Sequence, residues 1–304
     1  MGIAVSGGAD SLALLLLAHA ALPASFMVAT VDHGLRPESK AEACSVSALC
    51  SARGIPHDIL RVQLAPGAAV QERAREARYA ALGDWVARNG LWGVATAHHA
   101  DDQAETLIMR LSRGAGVRGL AAMRNRSLLP GRPDCMLLRP LLGWRQSELG
   151  EIVETAGIEP VSDPSNADPR FERARVRACL RGVPDFDPLA VAASAHHLAE
   201  ADAAVEWVAD QSFASVQTSG TALLWSPHDT PRVVALRVLE RILAVLGGSV
   251  PRGNALARWH DRLAAGEIAT LAGIRGDGRK MEWRFEPAPP PRSPQAFAGG
   301  GPKG

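Results

Sequence analysis

Ile3-Ala4-Val5-Ser6-Gly7-Gly8-Ala9-Asp10-Ser11-Leu12 runs from a short apolar stretch through a glycine pair into a second apolar stretch, Leu12 to Ala21, that is rich in helix formers. The pattern predicts a strand, a tight turn and a helix N-terminus. Such a junction builds an anion site from backbone. Glycines let the main chain approach the anion closely. The first N–H groups of the helix have no intrahelical partner and carry the positive end of its dipole. Ser6 and Ser11 add hydroxyl donors. No Gly-Lys-Ser/Thr follows, so this is not the loop that hands over a terminal phosphate. Asp10 stands where a lysine would be expected, and an acid beside a phosphate cradle points to a Mg²⁺ held between the two. The plainer reading is an ordinary turn with Asp10 capping the helix. The loop alone leaves both open.

Outward from this loop the first hundred residues alternate. Strands are expected at 3–5, Phe26–Val31, Asp58–Val62 and Trp92–Thr96, and helices at 11–21, 40–53 and 70–89. Alternation at this spacing predicts an α/β fold, a parallel sheet with helices on both faces. Such sheets bind ligands beyond the carboxyl ends of their strands. Polar clusters follow three of the strands: Ser6-Gly7-Gly8, Asp32-His33-Gly34 and His98 to Asp102. They would meet on one edge. Residues 113–145 read as an irregular Gly/Arg/Pro-rich region ending in a short strand, Met136–Leu138, with a helix at about 146–156 and a loop at 159–170. Beyond Pro188 the pattern is helical, at 188–214, 231–246 and 254–265. The expected organisation is a catalytic domain over 1–185, a smaller helical domain over 186–268, a short hairpin over 269–286 and a disordered tail over 287–304.

Composition narrows the classes. The 304 residues are 47% hydrophobic and 21% charged, as in a globular protein of about two domains. No apolar run is long enough to span a bilayer. No export signal is visible, and Cys44, Cys50, Cys135 and Cys179 form no paired spacing, so they read as reduced thiols of a cytoplasmic protein. Net charge is only +1, but arginines bunch at 110–126 and 170–181, where they could meet phosphate.

Thr96-Ala97-His98-His99-Ala100-Asp101-Asp102-Gln103-Ala104-Glu105-Thr106 is the densest set of functional groups. A helix beginning near Asp102 puts Asp102, Glu105 and Thr106 on one face and leaves His98 and His99 at the sheet edge. Asp102-x-x-Glu105 also fits a variant capping box, and the spacing matches no common zinc pattern. Asp32 and His33 read either as turn residues or as contacts to a nucleotide's sugar or base. The charged helix Gln71–Leu82 reads as salt-bridged and exposed. Asp163-Pro164-Ser165-Asn166 reads as a solvated loop.

Taken in order, these segments resemble the tRNA(Ile)-lysidine synthetase family of the N-type ATP pyrophosphatase superfamily. The matching residues are Ser6–Ser11, Val31–Arg36, Gln71–Leu82, Thr96–Thr106 running on to Met109-Arg110-Leu111, Arg113-Gly114 and Gly119-Leu120, then Leu138–Leu142 and Asp163–Asn166. They cover about residues 2–180. Where the family has Arg-Asn-Arg-Ile-Arg, this chain has Arg173-Ala174-Arg175-Val176-Arg177. Family members carry a short segment before the first strand, and many have a further C-terminal domain. The resemblance therefore raises the expectations of a truncated start and of a missing tRNA-gripping domain.

The resemblance implies a reaction. ATP adenylates the 2-carbonyl oxygen of the wobble cytidine in the CAU anticodon of tRNA(Ile), and the ε-amine of free L-lysine then displaces AMP to give lysidine. Ser6, Gly7, Gly8, Ala9, Asp10, Ser11, Asp32 and His33 would bind ATP, with Mg²⁺ at Asp10. Arg175 or Arg177 would neutralise the α-phosphate. Lysine, with a free pKa of roughly 10.4, must lose a proton to attack, so Asp102, His98 or His99 would take it or hold the ammonium. Arg110, Arg113, Glu105, Asp163 and Asn166 are the expected tRNA or lysine contacts. A homodimer is expected from the family. The alternatives are a tRNA-thiolating enzyme of the same superfamily and a non-catalytic nucleotide- or RNA-binding relative. The scattered cysteines argue against the first, and the retained acids and histidines of 98–106 against the second.

Overall fold

The computed structural model describes residues 1–34, 38–63, 70–161, 168–249, 251 and 253–289. Asp163, Asn166 and most of the expected tail lie outside them. The chain divides into two compact units, Met1–Glu200 and Ala201–Gly304.

The first unit opens with β1 (Gly2–Ala4), α1 (Ala9–Ala21), β2 (Met27–Asp32), α2 (Ser39–Ala52), β3 (His57–Arg61), α3 (Val70–Arg88) and β4 (Gly93–Ala95). It continues with α4 (Ala100–Leu111), the single turn α5 (Val117–Leu120), β5 (Arg126–Leu129), β6 (Arg132–Leu138), α6 (Gln146–Thr155) and α7 (Glu172–Arg181). The sheet order is β3-β2-β1-β4-β6-β5. All neighbours are parallel except β5 and β6, which form an antiparallel hairpin at the edge. The central strands β1, β2 and β4 are largely apolar because both faces of the sheet are covered. On one face Leu12, Leu15, Val46, Leu149 and Val153 pack with Ile3 and Val28. On the other, Tyr79, Leu82, Trp85 and Val86 of α3 pack with Val94 and Leu137.

The order runs outward from β1 to β3, then returns to β4 on the other side of β1. That reversal opens a crevice beyond the carboxyl ends of β1 and β4, the position where such sheets take ligands. The loops Ser6–Gly8 and Thr96–His99 both lie there.

Residues 126–138 were expected to hold only a short strand at 136–138, and the structure supplies the whole β5–β6 hairpin. Pro133 masks it in sequence. Pro133 precedes the residues that pair with β4, Met136 to Leu138, so its missing N–H breaks no bond of that ladder.

Chain passes into the second unit within α8 (Pro188–Phe213), followed by β7 (Gln217–Ser219), β8 (Ala222–Trp225), α9 (Arg232–Val245), α10 (Ala255–Ala264), β9 (Ile268–Leu271), β10 (Ile274–Asp277) and β11 (Trp283–Pro287). The helices fall where periodicity places them. The segment 186–268 is nevertheless not wholly helical: β7 and β8 join the later strands in one antiparallel sheet, β7-β8-β11-β10-β9. The expected hairpin is thus part of a five-stranded sheet whose inner face, with Trp225, Trp283 and Phe285, packs on Val238, Leu239 and Ile242 of α9 and on Trp259 of α10. No helix among the described residues is long and apolar enough to cross a membrane.

Candidate active site

The glycine turn is built as its sequence suggests, with one change of role. Gly7 has φ +89°, in the left-handed region where side chains are strained. A Cβ there would also stand 3.1 Å from Val161 Cγ2. Gly8, not Asp10, is the N-cap of α1. Asp10 is thereby left free to face the site. Ser11 Oγ donates to the Gly8 carbonyl (2.9 Å) and accepts the Ser6 N–H (3.1 Å). Its hydrogen is spent inside the loop, and Ser6 Oγ lies 3.2 Å from Ser11 Oγ and donates to it, so both serines shape the cradle while the open backbone N–H groups of Ala9 and Asp10 remain for an anion.

The loop forms one wall of a cavity of about 420 Å³ that is also lined by Thr30, His33, Arg78, Tyr79, Thr96 and His98. Asp32 Oδ1 accepts the Gly34 N–H at 2.9 Å, so Asp32 makes the turn that presents His33. Both His33 ring nitrogens are buried without a partner. Burial, with Arg78 nearby and Asp32 opposing, lowers the His33 pKa, which keeps the ring neutral.

Helix α4 starts at Ala100, earlier than Asp102, with His99 as its N-cap. Asp102 Oδ2 accepts the His99 N–H at 3.2 Å, so the capping pair is His99 and Asp102 rather than Asp102 and Glu105. The His99 ring is buried among three carboxylates: Nε2 lies 3.6 Å from Asp10 and 3.5 Å from Asp102, and Nδ1 lies 3.4 Å from Asp101. Burial opposes its charge, but Asp10, Asp101 and Asp102 outweigh it and raise the pKa to about 10. His98 is the reverse. Burial, reinforced by Arg139, Arg173 and Arg75 against Asp102, lowers its pKa to about 4. Thr96 Oγ1 lies 2.9 Å from His98 Nδ1 and donates to the Leu138 carbonyl at 3.4 Å. With Nδ1 engaged by Thr96, Nε2 is the ring nitrogen left for another partner. Adjacent histidines are thus held in opposite states, His98 neutral and His99 cationic.

Asp102 and Glu105 meet α7. Arg173 donates to Glu105 Oε2 (2.6 Å) and Asp102 Oδ1 (2.8 Å), and Arg177 donates to both Glu105 oxygens (2.5 and 3.1 Å). Arg173 and Arg177 stand one helical turn apart, which puts both on one face. Arg175, between them, points away and donates to the carbonyls of Pro169 and Arg170. Four carboxylates therefore face three cations, leaving one surplus negative charge.

The remaining groups of the cluster hold the scaffold. Asp101 Oδ2 accepts the Gln146 N–H at 2.8 Å and so caps α6. Burial works against the Asp101 charge, but His99 and that N–H prevail and lower its pKa. Gln103 exchanges two 2.8 Å hydrogen bonds with the Met123 backbone. Arg110 donates to the carbonyls of Gly119 (2.7 Å) and Ala122 (3.0 Å).

The family model described as the PP-loop domain matches residues 1–182. A tRNA(Ile)-lysidine synthase from Novosphingobium aromaticivorans is 58% identical over 96% of this chain and 90% of its own length. Another, from Zymomonas mobilis, is 41% identical over 95% of this chain and 89% of its own. The chain belongs to the tRNA(Ile)-lysidine synthase family. Among solved structures, a U34-tRNA thiolase, NcsA, from Methanococcus maripaludis with its [4Fe-4S] cluster is similar over 66% of this chain and 72% of its own, with a TM-score of 0.54 and 17% identity. That likeness concerns the fold alone.

Within this lysidine synthase family member, the structure brings together Ser6, Gly7, Gly8, Asp10, His98, His99, Asp102, Glu105 and Arg177, and sets Asp32 and His33 at the same edge. It does not bring Arg175 there. Arg110 is spent on loop carbonyls. Arg113, just past the end of α4, is paired with Glu172 of α7. Asp163 and Asn166 are outside the described residues. Sequence reasoning missed Arg173 and Arg78. A helical reading of 172–181 would have found the first, because Arg173 and Arg177 share a face and Arg175 does not.

Proposed function

We propose that this chain is an ATP-dependent ligase that converts the wobble cytidine of tRNA(Ile) with a CAU anticodon to lysidine. The observation that carries the reading is the facing of a phosphate-binding glycine turn and an acid-rich helix start across one crevice, in a chain whose relatives along nearly its whole length are lysidine synthases. The cytidine 2-oxygen attacks the α-phosphorus as the bond to pyrophosphate breaks. The lysine ε-nitrogen then attacks C2, the C2–O bond breaks, and AMP leaves. The backbone around Ser6 to Asp10 holds the departing pyrophosphate. The carboxylates of Asp101, Asp102 and Glu105 make this the acidic side of the crevice, where the lysine ammonium would be held, and His98 Nε2 or a carboxylate takes the proton. His99 is excluded as the base because it is already charged.

Asp10 fits a magnesium ion. Its Oδ1 is buried without a partner. Among the described residues no three His, Cys, Asp or Glu side chains are arranged to hold an ion by themselves. One carboxylate shared with substrate phosphates is a familiar Mg²⁺ arrangement. The ion would neutralise phosphate charge there. The cysteines support ligation over thiolation: Cys50 and Cys135 are buried, and Cys44 and Cys179 are exposed and far apart in sequence. We extend the reading to a cytoplasmic homodimer on the strength of the family resemblance.

The deciding assay supplies labelled lysine, ATP, Mg²⁺ and a tRNA(Ile) transcript with a CAU anticodon. Lysine enters the tRNA with release of AMP and pyrophosphate. Absence of incorporation with intact tRNA contradicts the proposal.

A further inference from the structure

The α3 side of the cavity has a charge character unlike that of the acid cluster. Arg75 Cζ lies 4.9 Å from the centre of the Tyr79 ring, and the buried Tyr79 hydrogen-bonds Arg139. Arg139, only 7% exposed, donates through Nη1 to the Arg124 carbonyl (2.8 Å) and Ser127 Oγ (3.1 Å), and its Nε is buried without a partner. Arg78, the next turn of α3 from Arg75, lines the cavity shared with Ser6, Gly8 and Asp10. Among the described residues no carboxylate pairs with Arg75, Arg78 or Arg139. Protein around the Arg78 and Arg139 guanidinia, with Arg75 adding like charge, pushes both pKa values down. Guanidinia gathered without an acid gain from any anion that reaches them.

The proposed reaction needs a cation at a phosphate. Arg175 is turned away, and Arg173 and Arg177 are neutralised by Asp102 and Glu105. We infer that Arg78, backed by Arg75 and Arg139, receives a substrate phosphate and completes from α3 the cradle that Ser6 to Asp10 begin from α1. The inference rests on the ATP-dependent reading above. That phosphate belongs to ATP or to the RNA strand beside the target cytidine, and a guanidinium binds either in the same way.

Binding measurements on the full chain separate the two sources and do not depend on lysidine formation. Wild type, Arg78→Ala, Arg78→Lys and the control Arg88→Ala are titrated with Mg-ATP alone and with the tRNA transcript alone. Arg88 lies at the far end of the same helix and, among the described residues, donates to the Asp84 carbonyl alone. Arg78→Ala weakens ATP binding by about tenfold or more if the phosphate is that of ATP. If it is that of RNA, ATP binding is unchanged, tRNA binding weakens and its salt dependence falls by about one ion. Arg78→Lys recovers part of either loss, and Arg88→Ala matches wild type. Unchanged affinity for both ligands in a folded Arg78→Ala protein overturns the inference. Loss of ATP affinity in a protein that makes no lysidine would keep the inference and remove the lysidine reading.

Discussion

Arg173 Nε lies 2.6 Å from Glu105 Oε2, tying α7 to α4 through a carboxylate that is 2% exposed. Removing Glu105 leaves Arg173 and Arg177 with Asp102 alone. Glu105→Ala is expected to destabilise the first unit by about 3 kcal/mol, the cost of stranding a buried partner. Urea unfolding of Glu105→Ala, Arg173→Ala and the double variant gives the coupling, expected at about 1–3 kcal/mol. Simple additivity would show that the pair is not a unit.

The two histidines give opposite pH slopes. His99 has its folded pKa raised to about 10 from 6.5, so its stabilisation is complete below pH 6.5 and disappears as pH rises to about 10. His98 has its folded pKa lowered to about 4 from 6.5, so stability falls as pH drops from 6.5 to about 4, where only the unfolded chain takes the proton. Thermal melts across pH should show His99→Asn flattening the alkaline limb and His98→Asn the acid limb. The same limb flattened by both variants would refute the opposite assignments.

Gly7→Ala places a Cβ at φ +89° and 3.1 Å from Val161. A destabilisation of about 1–2 kcal/mol is expected, with weaker ATP binding because the turn must open. Calorimetric melting and ATP titration on one sample measure both. Gly8→Ala is the comparison, since a Cβ there meets nothing nearer than 3.8 Å.

Asp102→Asn retains an acceptor for the His99 N–H and loses the charge facing Arg173. Far-UV circular dichroism should be unchanged while single-turnover lysine transfer falls about a hundredfold or more. Near-normal transfer would move the charge requirement to Glu105 or Asp10.

The crevice was legible because its parts lie at strand ends, where an apolar run stops abruptly at Ser6, Asp32 or His98. Period and polarity mark such junctions without any tertiary information. What escaped the sequence depends on side-chain direction. Arg173 and Arg175 are indistinguishable in composition, and only helical phase sends one to Glu105 and the other to backbone carbonyls. Gln71–Leu82 reads as a salt-bridged, exposed helix, yet Arg75 lies over Tyr79 and Arg78 opens on the cavity. The sheet of the second unit was hidden by brevity. Gln217–Ser219 is wholly exposed and Ala222–Trp225 is one turn of chain from it, too short for an alternating pattern to emerge.

The two rings at 98 and 99 are the same chemical group one position apart, and backbone phase alone separates their duties. The Thr96 N–H bonded to the Leu138 carbonyl at 2.9 Å sets that phase. One residue lost between Gly93 and His98 would carry His99 to the place of His98 and Ala100 into the carboxylates, and one residue gained would carry His98 into the carboxylates with no histidine behind it. Composition, charge and helix content would all survive such an edit. The centre is therefore more vulnerable to a shift in length at this junction than to many changes of residue type around it.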